Sequence, residues 1–165
     1  MNNDVVEVQL RSVVPLDGAF AVFLGNEEKT MVIYVDEPVG TAIAMSMRGV
    51  VKDRPLTHDL MGHMLRAFGA KVDRVVINHM DNSVYHARLI LSAEKDPVTG
   101  AELHHRKVVE LDARPSDSIA LAVAQSAPIF VSQPVWAAAD DNTESLTNLE
   151  QLRHSRGRKR ESGDK

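Results

Sequence analysis

Two short stretches hold most of the side chains that could do chemistry. The first is Asp112-Ala113-Arg114-Pro115-Ser116-Asp117-Ser118, a charged entrance to an apolar segment. Carboxylates converging on one point can hold Mg²⁺ or Mn²⁺, which activates a bound water, while an arginine fork clamps phosphate oxygens. Asp112 and Asp117 are therefore candidate metal ligands and Arg114 a candidate phosphate clamp, with Asp36 in the corresponding place earlier in the chain. The plainer alternative is that Ser116 and Asp117 cap a helix and Arg114 pairs with Asp112. The second stretch holds Arg54, His58, Asp59 and His63. Asp59 and His63 are four apart, so they are neighbours on a helix surface, where a carboxylate raises the basicity of an imidazole. A metal-independent nuclease needs such a general base, with Arg54 on phosphate and His58 or Asp59 moving a proton. An ordinary solvated helix face has the same spacing. The candidate catalytic side chains are thus His58, Asp59 and Asp117.

Other histidines offer less. His104 and His105 are adjacent in a strand and face opposite sides, so they cannot chelate together. His79 and His86 lie opposite one another only if a hairpin turns at Asn82-Ser83, and all four are read as structural. Tyr85, Phe20, Phe23 and Phe68 sit among aliphatics and read as core rather than as base-stacking platforms. The chain has no phosphate-binding glycine loop, no HExxH and no nucleophile elbow.

The elements that must position these groups follow from periodicity. Val6, Val8 and Leu10 alternate with polar residues and open a strand to Val14; Leu16-Asp17-Gly18 turns the chain, and strands follow at Ala19 to Leu24 and Met31 to Val35. Val39 to Met47 is a mostly buried helix. Arg54-Pro55-Leu56-Thr57 opens another, capped by Thr57 and ended by Gly69, with Leu60, Met61, Met64, Leu65 and Phe68 along one side. Three more strands follow, Val72 to Met80, Val84 to Ser92 and Leu103 to Leu111, with turns at Asp81-Asn82-Ser83 and at Asp96-Pro97-Val98-Thr99-Gly100. A helix starts near Ser116, and Ile119 to Val123 make it apolar on every side, hence buried. Asp36 followed by Ile43-Ala44-Met45 echoes Asp112 followed by Ile119-Ala120-Leu121. The expected fold class is α+β: duplicated β3α2 units forming a single curved, barrel-like sheet with helices packed against it. Ile129-Phe130-Val131 adds a short strand and Pro134 to Ala139 a docked helix.

The 165 residues, 44% of them hydrophobic, suffice for one core, and with no cysteine there is neither a disulfide nor cysteine-ligated zinc. Met1-Asn2-Asn3-Asp4 lacks the features of a signal peptide and no apolar run could span a bilayer, so a soluble, cytoplasmic protein without membrane partners is expected. Residues 1–150 carry 13 Lys and Arg against 21 Asp and Glu, and residues 151–165 carry six against two. An acidic body counts against tight non-specific nucleic-acid binding, which would have to come from a local groove or from the tail. Residues 1–139 read as the domain. Residues 140–165 read as an acidic then basic disordered tail, with room for a short helix from Thr143 carrying Leu146, Leu149 and Leu152.

Arg54-Pro55-Leu56-Thr57-His58-Asp59-Leu60, Val84-Tyr85-His86-Ala87-Arg88-Leu89 and Leu111 to Ala122 resemble, in order, the signature segments of the bifunctional nuclease domain family, over about Val5 to Val135. The resemblance implies two β3α2 repeats around one barrel-like sheet, and hydrolysis of both DNA and RNA without marked sequence preference. The matched polar residues are Arg54, Thr57, His58, Asp59, His86, Asp112, Arg114, Ser116 and Asp117. The expectation is a nuclease with DNA and RNA as weak, non-specific partners and Mg²⁺ or Mn²⁺ as the one candidate cofactor. Its competitors are a non-catalytic module, for example a partner of a transcriptional regulator docking through residues 145–160, and a small-ligand sensor. Homo-oligomerisation stays open.

Overall fold

The computed structural model describes residues 4–82, 84–96 and 98–161. Strands β1 (Val5–Leu16), β2 (Ala19–Gly25) and β3 (Thr30–Asp36) form an antiparallel meander, followed by helices α1 (Glu37–Met47) and α2 (Thr57–Ala67). The first reversal is the expected tight turn: Leu16 pairs with Ala19, and Gly18 takes a φ of 72°, which costs glycine nothing. A second meander, β4 (Ala70–Asp81), β5 (Val84–Lys95) and β6 (Glu102–Ala113), leads into α3 (Pro115–Gln125), then β7 (Ile129–Ser132), α4 (Gln133–Ala138) and α5 (Thr143–Glu161). Of the turn residues, Ser83 and Pro97 lie outside the described residues, as do Met1 to Asn3 and the side chain of His104.

All seven strands share one sheet in the order β3-β2-β1-β7-β4-β5-β6. The short extra strand joins the two meanders. Val5 to Val8 pair antiparallel with β7, and Val75 to Ile77 pair with it in parallel, so β1 and β4 are not neighbours. The sheet is curved but not closed, because β3 and β6 end it without pairing with each other. The element order is βββαα and then βββα followed by a strand and two helices, so the second unit carries a strand that a strict repeat would lack.

Helices α1 and α3 fill the concave side. Ile43, Ile119 and Ala122 are wholly buried together with Val22, Leu24, Met31, Val75, Ile77 and Val131 from the sheet. Spacing by two sends Val22 and Leu24 of β2, and Val75 and Ile77 of β4, to the same inner face. Gly40 lets α1 approach β2, since a Cβ there would stand 2.4 Å from the Phe20 ring. The α2 helix departs from expectation: His58 and Gly62 are its buried residues, while Leu60, Met61, Met64 and Phe68 are exposed, Phe68 at 63%. Periodicity identifies an apolar side but not whether anything covers it.

The chain after α4 is tied back to the first meander. Lys29 Nζ donates to the carbonyls of Trp136 (2.6 Å) and Ala139, meeting acceptors that the helix end leaves free. Asn142 N–H donates to Thr30 O, and the α5 start is capped by Asp141 rather than by Thr143: Asp141 Oδ1 accepts from Thr143 N (3.0 Å) and Oγ1 (2.6 Å). Leu146 and Leu149 pack on Ala21 and Phe23, which leaves Leu152 as the exposed member of the expected docking stripe. Side chains 153, 154 and 156–160 of the basic segment lie outside the described residues. Among the described residues no helix is long and apolar enough to cross a membrane.

Candidate functional site

The α3 helix begins as Pro115 at its first position dictates, with Arg114 at the N-cap and no side chain capping it. Ser116 and Asp117 lie inside the first turn, not at the cap. Asp117, at the third helical position where the backbone N–H groups favour negative charge, turns back on Arg114: Arg114 Nε donates to Asp117 Oδ2 at 2.7 Å. Its other oxygen, Oδ1, lies 3.2 Å from His58 Nε2. His58 is one of the few buried polar residues, held by the packing of the first turn of α2 on α3. Arg114 Nη1 lies 3.6 Å from Asp36 Oδ2, and Asp36 also caps α1 by accepting from Val39 N–H at 3.1 Å. A continuous polar chain, His58–Asp117–Arg114–Asp36, thus links three helices.

Burial pushes the Asp117 carboxyl up, but hydrogen bonds from Arg114 and His58, and the charge of both, outweigh it and hold the group below its ordinary value of 3.8. Asp117 is therefore ionised at neutral pH.

The outer end of the chain opens into a cleft of about 730 Å³. Edge strand β3 lines one side with Tyr34 and Asp36. Val84 and Tyr85 at the tip of the β4–β5 hairpin and Arg114, Pro115 and Ser116 line the other, and the segment from Ala138 to Asn142 completes the wall. The cleft lies where the sheet fails to close. Tyr34 is strongly exposed there, whereas burial and the Asp140 charge push the Tyr85 hydroxyl up.

The other expected site residues are elsewhere. Asp59 does not join His58. It accepts from Lys52 Nζ at 2.7 and 2.9 Å and from Leu56 N–H at 2.8 Å, so Asp59, not Thr57, caps α2. Burial pushes its carboxyl up, and Lys52, the Leu56 amide and His63 together bring it below 3.8. Arg54 is exposed in the loop before α2. Asp112 is a sheet-surface residue of β6, directly across from Arg88 of β5, whose Nη1 is 3.6 Å away. The expected Arg114–Asp112 pair is therefore replaced by Arg114–Asp117 and Arg88–Asp112. His79 and His86 do face each other, with ring centroids 5.6 Å apart.

These partners do not fit a divalent ion shared by Asp112 and Asp117. Both Asp117 oxygens are occupied by cationic or polar donors, and Asp112 is paired with Arg88. Among the described residues no group of three His, Cys, Asp or Glu is placed to hold a metal.

Sequence reasoning missed Tyr34, Lys52 and the pairing of His58 with Asp117. Tyr34 had a signal: it alternates with Ile33 and Val35 in a run otherwise apolar, which puts it on the outer face. Lys52 had none.

The depressed carboxyls carry a pH consequence. A folded-state value below the unfolded one contributes stability that is present above about pH 4 and is lost as pH falls through the folded values. Chemical denaturation at pH 7, 5, 4 and 3 is expected to show a steeper loss below pH 5 for the natural protein than for Asp59→Asn, which lacks one of the depressed groups. Equal slopes would show that the Lys52–Asp59 pair contributes nothing.

Residues 22–144 match the bifunctional nuclease domain. Two relatives, the uncharacterized protein MT1877 of Mycobacterium tuberculosis strain CDC 1551 / Oshkosh and the uncharacterized protein Rv1829 of strain ATCC 25618 / H37Rv, are each 30% identical to it over 127 residues. That region is 74% of this chain and 69% of theirs. With the domain match spanning most of its length, the chain belongs to the bifunctional nuclease domain family.

Proposed function

We propose that the protein is a phosphodiesterase that hydrolyses DNA and RNA with low sequence specificity, working in the cleft at the open seam of the sheet. The observation that carries this reading is the polar chain in which Arg114 connects an exposed cleft through half-buried Asp117 to buried His58. Arg114 keeps its terminal guanidinium nitrogens for a phosphate, because Asp117 takes only Nε and Asp36 lies at the longer distance of 3.6 Å. Hydrolysis requires a proton to leave the attacking water and one to reach the departing oxygen. His58 is the proton carrier through Nδ1, because Asp117 engages Nε2: it takes a proton from the attacking water and returns it to the departing oxygen, while Asp117 orients its ring and Arg114 neutralises charge gathering on the phosphate oxygens. Tyr34 offers a base an exposed aromatic face. Asp59, as the α2 cap, is a positioning residue for His58, and Arg54 contacts the phosphate backbone outside the cleft. The acidic body keeps binding weak, as a non-specific nuclease requires for release.

The test is hydrolysis of single- and double-stranded DNA and RNA oligonucleotides by protein purified until activity and mass elute together. Arg114→Ala is expected to lower kcat/KM by about 10²-fold or more, most of it in kcat. Activity equal to that of the natural protein would overturn the assignment and point to a contaminant.

A non-catalytic interaction module is favoured by a different observation, the uncovered apolar side of α2. That surface lies away from the polar chain and is compatible with either activity.

A further inference from the structure

The two ends of the sheet are treated differently. At β3 the edge borders the cleft, and Asn142 N–H donates to its first carbonyl, on Thr30. At β6 a full 12-residue strand pairs with β5 alone, and among the described residues no other backbone group bonds to it. Bare edges are usually shortened, blocked by proline or a bulge, or lined with charge. From Lys107 to Ala113 β6 has neither proline nor bulge and its pairing with β5 is regular; its charges, Lys107, Glu110 and Asp112, alternate with exposed Val108, Val109 and Leu111, so the edge is charged but not closed. Leu111 continues into an apolar groove of about 420 Å³ whose wall is Met61, Met64 and Phe68 of α2 and whose floor includes Leu89 and Leu121. So much uncovered apolar surface beside an open edge marks an interaction site.

The order of charges along β6 identifies its occupant. A two-fold axis perpendicular to a sheet, through an edge residue, sets that residue against itself and pairs the others at equal distances on either side. Placed at Val108, the axis sets Val108 against the partner's Val108, Lys107 against the partner's Val109, and Arg106, which within its own chain pairs with Asp73 and Ser92, against the partner's Glu110, which lies 3.5 Å from its own Arg88. Both copies of each pair form, and no like charges meet. An axis at Lys107 or at Glu110 would instead set a charge against its own copy, and one at Val109 would set Val108 against the partner's Glu110 and Arg106 against the partner's Asp112, a register that the paired exchange of Arg106 and Glu110 tells apart from this one. We infer that the protein forms a symmetric dimer in which β6 of one copy pairs antiparallel with β6 of another, centred on Val108, extending the sheet across both and covering the groove beside Leu111.

Sedimentation of the full chain over a range of micromolar concentrations tests this. The natural protein is expected at about twice its 18.2 kDa mass. Val108→Lys, which puts two ammonium groups face to face, should raise the dimer dissociation constant by about 100-fold or more with unchanged circular dichroism. Arg106→Glu should do likewise, and Arg106→Glu combined with Glu110→Arg should restore the dimer, because the swap re-creates the pairs only in this register. A monomeric natural protein, a dimer that survives Val108→Lys, or a folded double variant that stays monomeric would each overturn the inference.

Discussion

Asp117→Asn is expected to lower nuclease activity by about 10²- to 10⁴-fold while leaving the fold intact. The amide has the size of the carboxylate, so the helix start is not disturbed sterically. Its effect is electronic and geometric together. Both oxygens of Asp117 are engaged, Oδ2 by Arg114 Nε–H and Oδ1 by His58 Nε2. An amide must turn its own NH₂ towards one of them: against Arg114 it faces a donor, and against His58 it demands the tautomer in which Nε2 accepts. Either choice releases the phosphate clamp or reverses the ring's protonation pattern. Because the carboxyl sits below 3.8 in the folded protein, the charge removed is fully present at neutral pH. The measurement is kcat and KM on a fluorescent single-stranded oligonucleotide, alongside thermal unfolding. An unchanged kcat in a folded variant would remove the His58–Asp117 pair from the chemistry and leave Arg114 as a binding group alone.

The second large effect concerns stability. Ile119→Ala is expected to cost about 2–5 kcal/mol, since the side chain is wholly buried in the helix that packs on the second meander and on α1 and α2. Domains of this size are stable by only about 5–15 kcal/mol, so the melting temperature should fall by roughly 5–20 °C. Val51→Ala, at a position 95% exposed, serves as the control and should stay within about 0.5 kcal/mol. Equal melting of the two variants would mean that α3 does not organise the core.

That helix was also the part of the molecule most legible in the chain. Pro115 marks its start and five successive apolar residues declare it buried, so local chemistry and tertiary burial agree. Helix α2 was harder, because its apolar side looked like core and is instead the uncovered wall of a groove; coverage depends on what packs nearby, which periodicity does not encode. The site divides along the same line. Arg114 and Asp117 are three apart at a helix start, and their proximity is local. His58 lies 59 residues from Asp117, and only the packing of α2 on α3 joins them. Asp112 shows the converse: it is two residues from Arg114, yet it is still in a strand, where pairing with β5 sets it across from Arg88. The open sheet has the same origin. Three residues at Ile129 to Val131 signal a strand but cannot say that it enters between β1 and β4.

The place of β7 also dictates an order of events during synthesis. Strand β1 leaves the ribosome before every other strand of the sheet, yet its outer neighbour arrives only with Ile129 to Ser132, some 120 residues later. Until then the nascent chain holds two half-sheets with four bare edges between them. A long wait for a non-local partner slows folding and exposes strands to wrong neighbours, including those of a second nascent chain. A nascent chain arrested just before Ile129 would contain every residue of the polar chain from Asp36 to Asp117 and still lack the strand that holds its two halves at a common cleft.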